Sequence, residues 1–300
     1  MEFAVGGLAA VGAGFFTNPL EVIKIRMQLQ GELAAKGKYT TQYKNFVHAA
    51  YVIAKHDGIV ALQSGLASAL WFQFFLNGVR LGTYDVIAKM GFIRNKNGDL
   101  VLYKSVLASS FAGVVGSLAG SPFFLVKTHI QAQSSKEIAF GHQHNHESTI
   151  KAFVNIYKQQ GIKGLFRGST SSIPRGIVGS AAQLVSFDYA KQLLKKNDYF
   201  NNYPLLQIFM ASMIGGINLT LLFTPFDLIS TRLYNQGVDA NGKGLLYSGY
   251  GDCVKKIFKS EGFLGFYKGI GPQYVRIGPH TVLCLVFWDE LKMIHSKWKS

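Results

Sequence analysis

The chain repeats one sequence unit three times. Each copy contains an element that starts with a proline. The three elements read PLEVIKIRMQ, PFFLVKTHIQ and PFDLISTRLY. Their prolines are Pro19, Pro122 and Pro225, 103 residues apart both times. A later element of each copy carries an aspartate in register, at Asp85, Asp188 and Asp289. We therefore expect one domain over 1–300, built from the repeats 1–97, 98–200 and 201–300.

Each repeat contains two segments long enough to cross a membrane. Four uncharged runs have 18 to 23 residues: 3–20, 59–79, 105–126 and 204–226. About 20 residues rising ~1.5 Å each cross a hydrocarbon core of ~30 Å. Two further spans, 168–187 and 269–288, contain one arginine each. The expected fold is an all-α membrane protein with six transmembrane helices in three parallel repeats around a pseudo-threefold axis. Short amphipathic helices are expected between the spans, at 43–58, 148–161 and 251–262.

Charge and motif content restrict the class of partner. The chain is 48% apolar and carries a net charge of +15, with its lysines and arginines scattered along the sequence. We expect anionic lipid headgroups and an anionic solute as partners, and no nucleic acid. A nucleophile–base constellation and the phosphate loop GxxxxGK[ST] are both missing, which argues against an enzyme. The loop GHQHNHE (141–147) contains histidines that its counterparts in the other repeats lack. We expect it to be a solvated loop, and we predict neither a metal nor a cofactor.

The charged residues behind each proline predict ion pairs between repeats. The equivalent positions hold Glu21 and Lys24, then Phe124 and Lys127, then Asp227 and Ser230. Pairs formed within one helix would leave Lys127 and Asp227 without partners, and an unpaired charge at membrane depth is unfavourable. Pairs around a ring, Glu21 with Lys127 and Asp227 with Lys24, leave no charge unpaired and are the expected arrangement. The alternative is a pair within one helix, Glu21 with Lys24, near the headgroups.

These motifs resemble the mitochondrial carrier family. The pattern Pro-x-acid-x-x-base-x-base, followed by acid-Gly-x4-aromatic-base-Gly, covers essentially the whole chain. The resemblance implies a multi-pass protein of the mitochondrial inner membrane, in which the three prolines kink the odd-numbered spans. It also implies that the inferred ring closes the matrix side. We call Glu21, Lys24, Lys127 and Asp227 the matrix ring. Gln28 and Gln131 match the brace of that ring, which Tyr234 replaces in the third repeat.

The resemblance implies a second ring of charges on the cytosolic side. Its aromatic-acid-x-x-base motif is complete in SFDYAK and FWDELK, whereas the first repeat has Ala88 at the basic position and Lys89 one place later. The members of this cytosolic ring are Asp85, Asp188, Lys191, Asp289 and Lys292. Charge pairs on both sides suit alternating access, in which one ring closes while the other opens.

Two arginines lie inside apolar spans. Arg175 and Arg276 stand thirteen residues before their aspartates, level with Phe72 in the first repeat. An intramembrane arginine is expected to face a cavity, and no spare acid is visible in the sequence at that depth. Two guanidinium groups on one axis suit a small dianion; the alternative is that each pairs with a carboxylate. The resemblance implies that Phe72, Arg175 and Arg276 contact the substrate at this level. Trp71, Gln73, Arg80 and Gly176 complete the set of predicted substrate contacts. Two roles are open for Arg80: a second contact with the anion, or support of the cytosolic ring as a strut.

The motif details narrow the implied substrate. PFFLVKT, PFDLISTRLYNQ and NGVRLGTYD most resemble the carriers of oxaloacetate, other dicarboxylates and sulfur oxoanions. The resemblance thus implies an antiporter for oxaloacetate, malonate-like dicarboxylates, sulfate or thiosulfate. It also implies a monomer with cardiolipin as a lipid partner. The alternatives are a proton-coupled or uncoupling-type anion uniporter on the same fold, and a membrane scaffold that transports nothing.

Overall fold

The computed structural model describes residues 2–34, 43–95, 100–195, 203–239 and 242–299. Within these ranges the chain is helical and contains no strand. Helices of the first repeat are α1 (Glu2–Leu29), α2 (Phe46–His56) and α3 (Leu66–Lys89). The second repeat has α4 (Leu102–Ala132), α5 (Thr149–Leu165) and α6 (Ser169–Lys195), and the third has α7 (Pro204–Asn235), α8 (Tyr250–Glu261) and α9 (Ile270–Lys299). Short 3₁₀ turns occupy Ile59–Gln63 and Phe263–Tyr267.

The six long helices form a closed ring. Each packs against the next in the order α1, α3, α4, α6, α7, α9, and α9 returns to α1. Among the described residues, four stretches are long and apolar enough to cross a membrane by length and composition alone. They are Phe3–Leu29, Ile59–Lys89, Leu102–Ala132 and Leu206–Asn235. Helices α6 and α9 are more polar, and they complete the ring between the apolar ones. The structure therefore has the six-helix architecture that the sequence predicts.

A proline lies inside the first long helix of each repeat. Pro19, Pro122 and Pro225 are enclosed by α1, α4 and α7, which continue to Leu29, Ala132 and Asn235. A proline inside a helix removes one backbone hydrogen bond and favours a kink. The kinks themselves stay a prediction, and they would fall just before the matrix ring residues.

Helices α4 and α6 approach each other closely at two glycines. A Cβ atom on Gly176 would lie 2.7 Å from the carbonyl oxygen of Gly113 and 2.8 Å from Oγ of Ser117. Real Cβ atoms do not tolerate such distances, so both positions need glycine for the helices to pack. Small residues serve this purpose in membrane helices.

The short helices α2, α5 and α8 lie at one end of the bundle, which we call the short-helix end. In the third repeat, Arg232 near the end of α7 donates to the Glu261 carboxylate at 2.5 and 2.9 Å. Lys268 donates to the same carboxylate at 2.6 Å. Burial alone raises the pKa of Glu261, but the hydrogen bonds and charges of Arg232 and Lys268 outweigh it and lower that pKa below its usual value. In the first repeat, Arg26 contacts Asp57 in the equivalent way.

Candidate functional site

A cavity lies on the axis of the helix ring. Its deep part has a volume of about 150 Å³ and ends on the matrix ring residues Glu21, Lys24 and Asp227. Its outer part has about 520 Å³ and reaches Tyr84 and Trp288, near the ends of α3 and α9. The two parts share lining residues and form one funnel. The cavity is thus closed at the short-helix end and widens toward the opposite end.

Equivalent faces of α3, α6 and α9, the second long helix of each repeat, line the deep part. In α3 the lining residues are 72, 73, 76, 77 and 80, a spacing that lies on one face of a helix. The residues 103 positions later in α6, and a further 101 later in α9, point to the same cavity. The deepest level holds Phe72, Arg175 and Arg276, and the outermost holds Arg80, Gln183 and Cys284. The threefold pattern of the sequence therefore converges on one site.

Both intramembrane arginines lie beside carboxylates of the matrix ring. Arg175 donates through Nε to Asp227 at 3.0 Å. One terminal nitrogen of Arg276 lies 3.1 Å from a Glu21 oxygen. The expectation that no acid lies at this depth is wrong. The register of the repeats compares α3, α6 and α9 with one another, whereas the acids belong to α1 and α7 and reach this level only when the helices pack.

The Arg276 guanidinium is nevertheless short of acceptors. Within the described part of the chain, its Nε and the terminal nitrogen facing Glu21 are buried and make no aligned hydrogen bond. Arg80 donates to two neutral amides, to Gln183 at 3.0 Å and to Asn77 at 3.0 Å. Among the described side chains, it does not contact the carboxylate of Asp85. These two arginines leave donors available to an anion.

Ion pairs between repeats hold the deep end of the cavity. Lys24 Nζ lies 2.9 Å from an Asp227 oxygen, and Lys127 contacts the Glu21 carboxylate. All four side chains are buried. The structure therefore brings together the pairs that the sequence predicts, and not the alternative pair within α1. At the third position of the ring, Phe124 packs against Phe72 with ring centroids 5.0 Å apart.

The three brace positions behave differently. Gln28 donates to Asp227 at 3.1 Å and so supports the Lys24–Asp227 pair. Gln131 donates instead to the side chain of Asn18 at 2.8 Å, so its predicted contact with the ring is wrong. The Glu21 oxygen that does not contact Lys127 lies beside Arg276. The Tyr234 hydroxyl lies 2.7 Å from the hydroxyls of both Ser121 and Ser172. Tyr234 thus joins α4, α6 and α7 where the ring has no ion pair.

Trp71 does not line the cavity. Its side chain is 53% exposed and stacks on Phe75 and Phe123 at centroid distances of 6.0 and 6.2 Å. Neighbouring residues on a helix point about 100° apart, and Phe72, which is 2% exposed, takes the inward direction. The predicted substrate contact at Trp71 is therefore wrong. Gln73 and Gly176 do line the cavity, and Gly176 also provides the close packing with α4.

The described charges at the wide end include one ion pair within a single helix. Asp85 pairs with Lys89 at 2.7 Å, four residues along α3. The cytosolic ring between repeats stays a prediction, because alternating access expects it to be open while the matrix ring is closed. Asp289 is exposed, and Lys292 Nζ lies 4.6 Å from the centre of the Trp288 ring. The side chains of Asp188 and Lys191 lie outside the described residues. The molecule is closed at the matrix ring and open at the other end.

The sequence matches a known family. The sequence profile described as "Mitochondrial carrier protein" matches residues 1–95, 98–198 and 201–297. The chain belongs to the mitochondrial carrier family. Its members are transporters of the mitochondrial inner membrane and not enzymes, and the apolar helices of this carrier suit a multi-pass protein.

Full-length relatives support the assignment. "Solute carrier family 25 member 35" of Homo sapiens is 48% identical over 295 residues, which cover 98% of both chains. The "Mitochondrial oxaloacetate transport protein" of Saccharomyces cerevisiae is 41% identical over 301 residues, covering 98% of this carrier and 90% of the relative. The "Mitochondrial citrate transporter E" of Aspergillus niger is 37% identical over 295 residues, covering 97% and 92%.

Sequence reasoning missed two features of the carrier. Gln183 and Cys284 occupy the level of Arg80, and the repeat register could have found them, because all three stand five residues before an aspartate. His144, expected in a solvated loop, instead stacks on His129 of α4 with ring centroids 3.4 Å apart. No periodicity in the sequence links these two histidines, since the contact depends on how the loop folds back.

The outward position of Trp71 gives a direct test of the cavity. Replacing it with leucine (Trp71→Leu) is expected to change the apparent KM for the transported anion by no more than about twofold, as for other surface substitutions. Phe72→Leu, one residue later, should raise KM several-fold, because the Phe72 ring faces Lys127 at 4.9 Å and Arg175 at 5.5 Å. Uptake into proteoliposomes measures both. A larger effect at Trp71 than at Phe72 would contradict the described orientation.

Proposed function

We propose that this carrier exchanges small dianions across the inner membrane, with oxaloacetate and malonate-like dicarboxylates as its main substrates. Sulfate and thiosulfate carry the same charge and belong to the proposed substrate class. The observation that carries the proposal is the Arg276 guanidinium, whose buried N–H groups lack aligned acceptors in the deep cavity. A carboxylate or sulfate can accept two parallel hydrogen bonds from such a group.

The charge of the deep cavity favours an anion. Four cationic side chains line it, Lys24, Arg80, Arg175 and Arg276, against the carboxylates of Glu21 and Asp227. Lys127, buried against Glu21, adds a further cation, and this excess of positive charge is unfavourable in a membrane interior unless an anion balances it. The volume of about 150 Å³ is smaller than the ~300–1,000 Å³ of pockets for drug-sized ligands. A small metabolite therefore suits the site better than a nucleotide.

The relatives favour dicarboxylates in particular. The yeast protein named for oxaloacetate transport is 41% identical to this carrier over nearly its whole length. The Aspergillus relative is named for citrate transport at 37% identity, and citrate carries one more carboxylate than a dicarboxylate. Citrate is therefore the informative competitor in a transport assay.

Substrate binding and opening of the matrix ring are linked in this proposal. Arg175 and Arg276 contact Asp227 and Glu21, the two acids of the ring. A dianion that attracts both guanidinium groups weakens those contacts, and the ring is then held mainly by its lysines. A ligand shifts a conformational equilibrium only through such differential contacts. Alternating access follows when the wide end closes as the ring opens.

A single chain supplies the whole lining of the cavity that the structure describes. All three repeats contribute to a single cavity, so 1–300 works as one unit and we propose a monomer. The net charge of +15 favours anionic lipid around the carrier, and we propose cardiolipin for that role. We propose, from the family resemblance, that the short-helix end faces the matrix.

Uptake into proteoliposomes tests the proposed exchange. Purified carrier is reconstituted with or without internal malonate, and the entry of labelled malonate, oxaloacetate, sulfate or citrate is followed. We expect the dianions to enter fastest, and internal malonate to accelerate entry at least several-fold. Equal entry into empty and loaded vesicles would indicate a uniporter. Faster entry of citrate would contradict the dianion assignment, and no entry of any anion would leave the scaffold alternative.

A further inference from the structure

Three histidines meet at the short-helix end of α4. His129 belongs to the last turn of the helix, and His144 and His146 belong to the loop that follows it. Nδ1 of His129 lies 3.3 Å from Nε2 of His146. One ring nitrogen from each of the three residues lies within 4.8 Å of the other two. The group lies beyond the matrix ring and outside the transport cavity.

Backbone carbonyls orient two of these rings. His129 donates through Nε2 to the carbonyl oxygen of Tyr234 at 2.9 Å, and His144 donates through Nε2 to that of Asn235 at 2.8 Å. A carbonyl only accepts, so the proton of each neutral ring is on Nε2 and the lone pair of each ring is on Nδ1. Without a metal, Nδ1 of His129 accepts a hydrogen bond from Nε2 of His146. Histidines that bind metals are typically oriented by such an outer hydrogen bond.

The repeats show that this cluster replaces an ion pair. The position of His129 is held by arginine in the other two copies, Arg26 and Arg232, and these contact Asp57 and Glu261. In the second repeat both members have changed, because Gln160 stands where the others have an acid. An ion pair like those of the first and third repeats therefore cannot form in the second. The loop that follows α4 has gained histidines that its counterparts lack.

We propose that His129, His144 and His146 form a binding site for Zn²⁺ or a similar transition metal. Tetrahedral Zn²⁺ with Zn–N bonds of ~2.0–2.1 Å holds its ligand nitrogens about 3.3–3.4 Å apart, and the His129–His146 nitrogens already have that separation. Imidazole ligands select Zn²⁺, Cu²⁺ or Ni²⁺ over Mg²⁺ and Ca²⁺. Three protein ligands leave a fourth position for water.

The surroundings restrict the charge of the bound species. Arg167 is a nearby cation that donates to the carbonyl oxygen of Gln236 at 3.2 Å. The His142 ring lies edge-on to His144 at 4.5 Å. A neutral ligand set beside a cation calls for an ion that binds imidazole strongly. Bound metal would join the loop to α4 and, through the two carbonyl contacts, to the end of α7.

Metal titration of the full-length carrier tests the proposal without reference to transport. The purified protein is treated with a chelator, and Zn²⁺ alone is titrated by calorimetry. We expect one bound ion per chain and a higher unfolding temperature with Zn²⁺. His146→Gln should weaken binding by more than about 10-fold, because even outer-shell partners of a metal site are worth ~10–100-fold. His48→Gln, which alters a half-buried histidine of α2, is the matched control and should bind normally.

Two outcomes would overturn the site. One is binding of Zn²⁺ that is equally tight in the wild-type carrier and in His146→Gln. The other is Co²⁺ binding without the visible absorption of a tetrahedral or five-coordinate complex. His144→Gln and His146→Gln alter a loop and not the helix ring, and their unfolding temperatures without metal show whether they fold. In the absence of a metal site, His146 simply donates to His129, and Zn²⁺ leaves the unfolding temperature unchanged.

Discussion

Replacing Arg276 with glutamine should lower the initial rate of dicarboxylate uptake by at least about 100-fold at subsaturating substrate. Hydrogen bonds to charged groups are worth ~1.5–3 kcal/mol each, and the guanidinium offers two buried donors without aligned acceptors. Losing both removes about 3 kcal/mol or more, and each 1.4 kcal/mol is a factor of ten. Glutamine keeps a polar side chain but has neither the charge nor the planar fork. Uptake into malonate-loaded proteoliposomes measures the effect.

Two comparisons make the Arg276 result specific. Lys151→Gln removes one positive charge from the exposed surface of α5 and should leave the uptake rate unchanged. Arg276→Lys keeps the charge but loses the fork, and should fall between the wild type and Arg276→Gln. Arg175 is less suitable, because its Nε makes an aligned hydrogen bond to Asp227 at 3.0 Å, whereas the Arg276 nitrogen beside Glu21 makes none. Wild-type uptake by Arg276→Gln would show that this guanidinium does not bind substrate.

Glu21→Gln should strongly destabilise the conformation in which the matrix ring is closed. Glu21 is the carboxylate that contacts Lys127, a lysine 1% exposed and placed over the Phe72 ring at 4.9 Å. Removing one member of a buried pair leaves an uncompensated charge and costs about 3–5 kcal/mol. The unfolding temperature of the purified carrier should fall by roughly 6–10 °C, at ~2 °C per kcal/mol for a chain of this size.

A double substitution separates the orphaned charge from other effects. Adding Lys127→Gln to Glu21→Gln removes both charges, as at the third ring position, where Phe124 and Ser230 are neutral. The double variant should recover at least ~1 kcal/mol, or about 2 °C, relative to Glu21→Gln alone. Glu147→Gln disrupts the exposed pair with Lys151 and serves as the control, since such pairs contribute only ~0–1 kcal/mol. A double variant less stable than Glu21→Gln would contradict the pairing.

The matrix ring could be predicted because symmetry restricts it. Equivalent residues of the three repeats lie at the same depth, so a charge lost in one copy must be matched by a loss in the copy that it faces. Phe124 and Ser230 identified the partners in this way, and the structure places Lys127 against Glu21 and Lys24 against Asp227. The same register places Phe72, Arg175 and Arg276 on one level of the cavity.

The direction of individual side chains could not be predicted in the same way. Trp71 and Phe72 are adjacent in sequence and both aromatic, and only the rotation of α3 decides which of them faces the cavity. Gln131 matches a brace by position, yet it donates to Asn18, because Arg276 of α9 occupies the place beside Glu21. Each of these outcomes depends on contacts between helices that no spacing within one repeat describes.

The repeat, the six long helices, the pairs of the matrix ring and the level of the two arginines could be predicted from the residues alone. These features follow from hydrophobic length and from a register that symmetry repeats. The contacts of Arg175 with Asp227, of Arg276 with Glu21, and of His129 with His144 and His146 emerge only when the chain folds. They join segments that the repeat register does not relate, so their distances depend on how the helices pack and how one loop folds back.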